Sequence, residues 1–236
     1  MSNFQQLKDK GLVILYDRTQ ISQISADWFN LNYWEAKQAV LGGAPGRGTS
    51  LFITTPAGEA VWRHYHRGGL PGRLIKDSYL WQGLENTRAW QEFKLTAKLL
   101  SMGLPVPTPL AACVRPKGLF YTADIITARL PAALPLMDLL INQDLNTLDL
   151  LLSKVGRTVQ EFHAAGLNHV DLNPRNILVN TKLNKIWLID FDRCQLTQPS
   201  PKLAASNINR LERAFTKLNA GKTRRWLQAF MAGYAN

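Results

Sequence analysis

The residues most able to do chemistry fall in one run, His169-Val170-Asp171-Leu172-Asn173-Pro174-Arg175-Asn176-Ile177-Leu178-Val179. A second group follows it, where the apolar stretch Ile186-Trp187-Leu188-Ile189 leads into Asp190-Phe191-Asp192. Asp and Asn are common turn residues when taken singly. In this order they offer more. On a loop, Asp171 can accept a hydrogen bond from an attacking hydroxyl, align it and take its proton. About one turn later Asn176 offers an amide oxygen, and Asp190 offers a carboxylate. Hard oxygen donors of this kind suit a hard cation such as magnesium.

The pattern resembles the H-R-D-L-x-x-x-N loop and D-F-G motif of protein kinases, with an apolar strand between them. That resemblance implies ATP as phosphoryl donor, Asp171 as catalytic base, and Asn176 and Asp190 as magnesium ligands. It also asks for parts upstream. Gly46-Arg47-Gly48 lies just before a strand-like stretch and can drape backbone amides over phosphates. On the returning strand, Val61-Trp62-Arg63 places arginine where kinases carry the V-A-I-K lysine. Arginine keeps the charge and binds phosphate bidentately, but it is not equivalent to lysine. Glu92, inside a predicted helix, is the candidate ion-pair partner of Arg63.

The elements that must position these residues follow from composition and spacing. Residues 1–45 mix short apolar segments with the aromatic cluster Trp28, Phe29, Tyr33 and Trp34. Strands are expected over Ser50 to Thr55 and Ala60 to Tyr65, around a Pro56-Ala57-Gly58-Glu59 turn. The spacing of Trp90, Phe93, Ala97 and Leu100 predicts a helix over about 86–102, capped by Gly103. Prolines 105, 107 and 109 keep the next stretch extended. Two strands are expected around Pro116-Lys117-Gly118. Leu151, Leu152, Val155, Val159, Phe162 and His163 mark a helical face closed by Gly166. From Ser206 onward the chain reads as helix, with Arg210, Arg213, Lys217, Arg224 and Arg225 on its polar side. The order predicts an α+β, two-lobed protein-kinase-like fold. We expect a single kinase-like domain over 1–236, with a β-rich N-lobe of about 1–128 and a shortened helical C-lobe of about 129–236.

At 236 residues, with 46% hydrophobic and 19% charged residues, the chain is long and apolar enough to bury its own core. Cys113 and Cys194 are isolated, with no CxxC spacing, and read as reduced buried thiols. Met1 to Lys10 has no signal-peptide core. The most apolar stretch, Leu130 to Leu145, is broken by Pro131, Pro135, Asp138 and Asn142, so no transmembrane segment is expected. His64 and His66 have no third ligand nearby, which argues against zinc. The net charge of +11 implies attraction to something polyanionic, without choosing among nucleic acid, an anionic membrane and phosphorylated substrates.

Departures from the kinase pattern narrow the acceptor. Val170 replaces the arginine that pairs with a phosphorylated activation loop, Asn173 replaces the usual loop lysine, and Asp192 replaces the glycine of D-F-G. No A-P-E follows, and the remaining tail is too short for a full peptide-docking lobe. The motifs Gly46-Arg47-Gly48-Thr49, Arg63-His64-Tyr65 with Arg67-Gly68-Gly69-Leu70, Gly103-Leu104-Pro105-Val106-Pro107, Asp171-Leu172-Asn173 and Trp187-Leu188-Ile189-Asp190-Phe191-Asp192-Arg193 together resemble the 3-deoxy-D-manno-octulosonic acid (Kdo) kinases of lipopolysaccharide core assembly.

The resemblance runs over about 30–217. It implies phosphorylation of the Kdo 4-hydroxyl in a Kdo-lipid A precursor, by a peripheral protein at the cytoplasmic face of the bacterial inner membrane. Arg67, Arg73 and Lys76, or Arg224 and Arg225, would then meet an anionic membrane surface, and no nucleic acid is expected as partner. Arg175 and Arg193 are candidates for the Kdo carboxylate. Two other readings stay open: a related kinase acting on heptose or another small molecule, and a basic, non-catalytic binding protein on a kinase scaffold.

Overall fold

The computed structural model describes residues 3–44, 50–66, 77–142, 145–182 and 184–235. Its contacts divide the chain into two compact units. One comprises Met1–Ala97 and Pro107–Arg129, the other Lys98–Val106 and Leu130–Asn236.

The first unit is built on β1 (Phe4–Asp9), β2 (Leu12–Asp17), α1 (Leu31–Ala36), β3 (Val40–Ala44), β4 (Ser50–Thr55), β5 (Gly58–His64), β6 (Tyr79–Leu80), α2 (Arg88–Ser101), β7 (Pro109–Lys117) and β8 (Phe120–Ala128). The last residues of α2 group with the second unit. The strands form one antiparallel sheet in the order β1-β2-β7-β8-β5-β4-β3, with β6 added beside β8. The central strands are covered on both faces, which explains why β7 is apolar without alternation over its first residues. Ile14, Trp62, Ala111, Cys113 and Ile126 pack on one side against Trp28 and Trp34. Leu15, Tyr65, Ala112, Val114 and Ile125 pack on the other against Trp90 and Phe93 of α2. Neighbours along each strand thus serve opposite cores, as the two-residue period of a strand requires.

The first hairpin is not expected from the sequence, which reads there only as short apolar segments. Its turn is Lys10-Gly11, both at positive φ (46° and 77°). Tight hairpin turns demand this conformation, but Asn or Asp more often announces it.

The second unit contains β9 (Leu134–Pro135), α3 (Leu136–Asn142), α4 (Leu145–Ala164), β10 (Leu167–Asn168), β11 (Ile177–Asn180), β12 (Lys185–Leu188), β13 (Gln195–Leu196), α5 (Pro201–Leu218) and α6 (Thr223–Tyr234). Leu148, Leu152, Val155, Val159 and Phe162 are fully buried along α4, at the spacing of one helical face. Small sheets, β12-β11-β9 and β10-β13, connect the helices.

The single terminal helix expected from Ser206 is two helices. The first begins earlier, where Ser200 precedes Pro201 at its opening turn, a position proline favours. It ends at Asn219, whose side chain accepts a hydrogen bond from the Lys222 amide at 3.1 Å. α6 then folds back on α4.

That last crossing is backbone against backbone. A Cβ at Gly233 would lie 1.7 Å from the Ser153 carbonyl oxygen, and one at Gly156 would lie 2.0 Å from that of Phe230. Gly233→Ala must push the two helices apart, and overpacking against backbone costs about 2 kcal/mol or more. Chemical denaturation should show that loss. Gly221→Ala, whose added Cβ would meet only the Asn219 side chain at 3.5 Å, should leave stability nearly unchanged.

Candidate active site

The loop carrying Asp171 and Asn176 is hung between a helix end and a hairpin. α4 stops before Gly166, whose φ is +86° and whose missing Cβ leaves room for the Thr197 carbonyl; a Cβ there would lie 1.9 Å from that oxygen. The Thr197 amide donates back to the Gly166 carbonyl at 2.8 Å. From here the chain runs through β10 into the loop and leaves along β11. Strand β12 returns antiparallel, with Ile177 opposite Leu188. The Ile189 amide then donates to the Asn176 carbonyl at 3.0 Å. The hairpin therefore delivers Asn176 and Asp190 to adjacent chain ends.

His169 ties the loop to the same place. Its Nε2 donates to the Ile189 carbonyl at 3.1 Å. Burial lowers the His169 pKa, so the ring is held neutral, as a donor to a carbonyl can be. Phe191 stacks on Phe162 at 6.3 Å and tilts against His169 at 5.5 Å. The residue after Asp190 is thereby fixed in the core.

Side-chain bonds set the loop's polar atoms. Asn173 donates to the Asp171 carbonyl at 3.0 Å and accepts from the Arg175 amide at 2.9 Å. Asn176 donates through Nδ2 to the Asp171 carbonyl at 2.9 Å and to its carboxylate at 3.3 Å. This fixes the amide's orientation, and leaves Oδ1 as its acceptor atom. Asp171 is exposed and Asn176 is buried. Asp190 has φ +63°, a backbone state that Asp tolerates better than most residues.

In the first unit, β5 and α2 meet through a buried charge. Glu92 is 4% exposed and takes hydrogen bonds from both the Arg63 guanidinium and the Tyr65 hydroxyl. The Arg63 guanidinium also lies 5.1 Å from the Tyr65 ring centre. Arg88 contributes cation–π contacts to Tyr65 at 5.5 Å and Tyr79 at 4.7 Å. Sequence reasoning paired Arg63 with Glu92 but missed Tyr65 and Arg88. Alternation along β5, which puts residues 63 and 65 on one face, is the signal that could have found Tyr65. On the opposite face, buried Asp124 accepts from Trp62 Nε1 at 3.0 Å and from His64 Nδ1 at 2.8 Å, and that bond raises the His64 pKa.

Gly46, Arg47 and Gly48 lie outside the described residues, as do Arg67, Arg73 and Lys76. Arg225 is bound to Asp149 through Nε and an NH2 group, with contacts of 2.8 to 3.2 Å. Arg175 Nε lies 3.2 Å from Met137 Sδ. Arg193 is exposed, with Nε 3.8 Å from an Asp192 oxygen. Cys113 and Cys194 are free and buried. No group of three or more His, Cys, Asp and Glu able to hold a metal occurs among the described residues. The donors present, an aspartate carboxylate and an oriented amide oxygen, fit an ion that takes most of its ligands from phosphates and water.

The architecture is an α+β, kinase-like fold. A solved structure titled "WaaP in complex with acyl carrier protein" shares it, with a TM-score of 0.56 at 19% identity over 98% of this chain and 88% of that one. A profile of the lipopolysaccharide kinase (Kdo/WaaP) family matches residues 31–234, and the chain belongs to that family. Among curated relatives, proteins named 3-deoxy-D-manno-octulosonic acid kinase are similar over nearly their whole length. The one from Vibrio parahaemolyticus is 41% identical over 90% of this chain and 88% of its own. The one from Vibrio cholerae is 37% identical over 96% and 95%. That of Stenotrophomonas maltophilia is 39% identical over 89% and 82%.

Just before the loop, buried His163 lies 2.8 Å from the Tyr234 hydroxyl through Nδ1. Burial, aided by the nearby His169, lowers its pKa to about 4. A base depressed in this way stays neutral in the folded protein while the unfolded chain takes up a proton below its ordinary 6.5. Its contribution is complete above that value and is lost as pH falls toward 4. Between pH 7 and pH 5 it accounts for about 2 kcal/mol of lost stability. Urea denaturation at the two pH values should show His163→Gln losing less stability than the parent by about that amount.

Proposed function

We propose that this chain transfers the γ-phosphoryl group of ATP to the 4-hydroxyl of Kdo in a Kdo-lipid A precursor, a step of lipopolysaccharide inner-core assembly. The observation that carries this is membership of the Kdo/WaaP family together with relatives named Kdo kinase that match over most of both chains. The whole chain is read as one kinase-like domain acting peripherally at the cytoplasmic face of the inner membrane, against an anionic surface. No helix among the described residues is long and apolar enough to cross a membrane.

In this reading Asp171, on an exposed loop, accepts the proton of the sugar hydroxyl as its oxygen bonds to the γ-phosphorus and the bond to ADP breaks. Asn176 and Asp190 would hold magnesium, which would neutralise charge on the phosphates. Asn176 would do this through Oδ1, because its nitrogen is committed to Asp171. Arg63, oriented by Glu92 and Tyr65, binds the α- and β-phosphates, and Gly46-Arg47-Gly48 supplies backbone donors to them. Arg175 and Arg193 are the candidates for the Kdo carboxylate.

Acceptor-dependent ADP release tests the assignment. Turnover is expected with Kdo-lipid A precursor. Turnover confined to a heptosylated core or an aminoglycoside would contradict it. Asp171→Ala should lower kcat by roughly 10²–10⁴-fold with ATP affinity largely kept. Near-normal turnover in that variant would remove Asp171 from its role.

A further inference from the structure

The turn joining β7 and β8 carries apolar side chains that the protein core does not use. Leu119 is 75% exposed, Phe120 40% and Leu80 53%. They are contiguous, since Leu80 and Phe120 are register partners and the Trp81 amide donates to the Leu119 carbonyl at 2.8 Å. Single exposed leucines are ordinary on a protein surface, but a cluster on one turn is not. The next pair in register, Tyr79 and Tyr121, is buried, with ring centres 5.5 Å apart, and Trp81 meets the Tyr121 ring edge-on at 6.1 Å. The exposed side chains therefore stand on a rigid base. Gly118 makes the turn at φ +59°.

The hairpin's own charges at this end have one sign. Arg115 and Lys117 are exposed on the same hairpin, and the run Arg115-Pro116-Lys117-Gly118-Leu119-Phe120 contains no acidic residue. A stable protein partner would need about 800 Å² from each side, more than a four-residue tip offers. A small molecule would need a concave site. An anionic bilayer needs only apolar groups that reach the acyl boundary and cations that remain among the headgroups.

We propose that the β7–β8 turn docks this protein on anionic membranes, with Leu119, Phe120 and Leu80 entering the interface and Arg115 and Lys117 meeting lipid phosphates. The assignment deepens, and rests on, the reading of a lipid-linked acceptor given above.

The test is co-sedimentation of the full chain with phosphatidylglycerol/phosphatidylethanolamine vesicles and with neutral phosphatidylcholine vesicles. The parent should bind the anionic vesicles only. The double variant Leu119→Ser, Phe120→Ser should weaken binding at least tenfold, and Arg115→Gln, Lys117→Gln should do so by on the order of fivefold per charge. Both variants should keep the parent's melting temperature and its turnover of a deacylated, water-soluble Kdo acceptor, while losing turnover of the same sugar carried in vesicles. A Leu119→Cys protein labelled with an environment-sensitive fluorophore should shift to the blue on anionic vesicles alone.

Unchanged vesicle binding in both double variants would overturn the proposal. So would self-association of the parent that the serine variant abolishes without any vesicle binding, which would make the turn an interface between copies. Turn-dependent vesicle binding without turnover of any Kdo acceptor would instead overturn the kinase assignment and leave the docking surface standing.

Discussion

The candidate site depends on how one strand pair closes. Where β11 and β12 meet, the Ile189 amide bonds to the Asn176 carbonyl, and the Ile189 carbonyl accepts from His169. One residue thus joins the hairpin to the start of the loop that carries Asp171. Asn176 and Asp190 are its immediate neighbours on the two sides of that closure. The buried Phe191, stacked on Phe162, keeps Asp190 from moving along the chain. Neutral His169 suits this role, because burial disfavours its charged form. Preorganisation of this kind matters where catalysis consists mostly of positioning and electrostatics.

The first unit places a charge in its core. Glu92 sits in the core and accepts from Arg63 and Tyr65, and removing either takes a donor from a buried carboxylate. Tyr65 makes the arrangement more than an ion pair. It bonds the carboxylate with its hydroxyl and meets the Arg63 and Arg88 guanidinium groups with its ring. Arginine gains from such surroundings, since its planar group can lie against a ring and still reach a carboxylate.

What was legible in the sequence is what short-range pattern encodes. The spacing of Asp171, Asn176 and Asp190, the apolar strand before Asp190, and the buried face of α4 all follow from local periodicity. So does the Arg63–Glu92 pairing, once the kinase resemblance is granted. Contacts between distant segments were not legible. Nothing local indicates that Asp149 would engage Arg225, or that Gly156 and Gly233 would let two helices touch by their backbones. The Lys10-Gly11 hairpin was missed because lysine at positive φ is not a turn signal. The break between α5 and α6 was missed because its apolar spacing resumes so soon after Gly221. Asp190 at positive φ could not be foreseen either, since aspartate is not bound to that conformation.

The acceptor is the central claim, and product analysis tests it most directly. Kdo-lipid A precursor incubated with the protein, ATP and magnesium should gain a single phosphate by mass spectrometry, located on the Kdo 4-hydroxyl by NMR of the product. Recovery of unmodified precursor, or a phosphate on any other sugar position, would contradict the account.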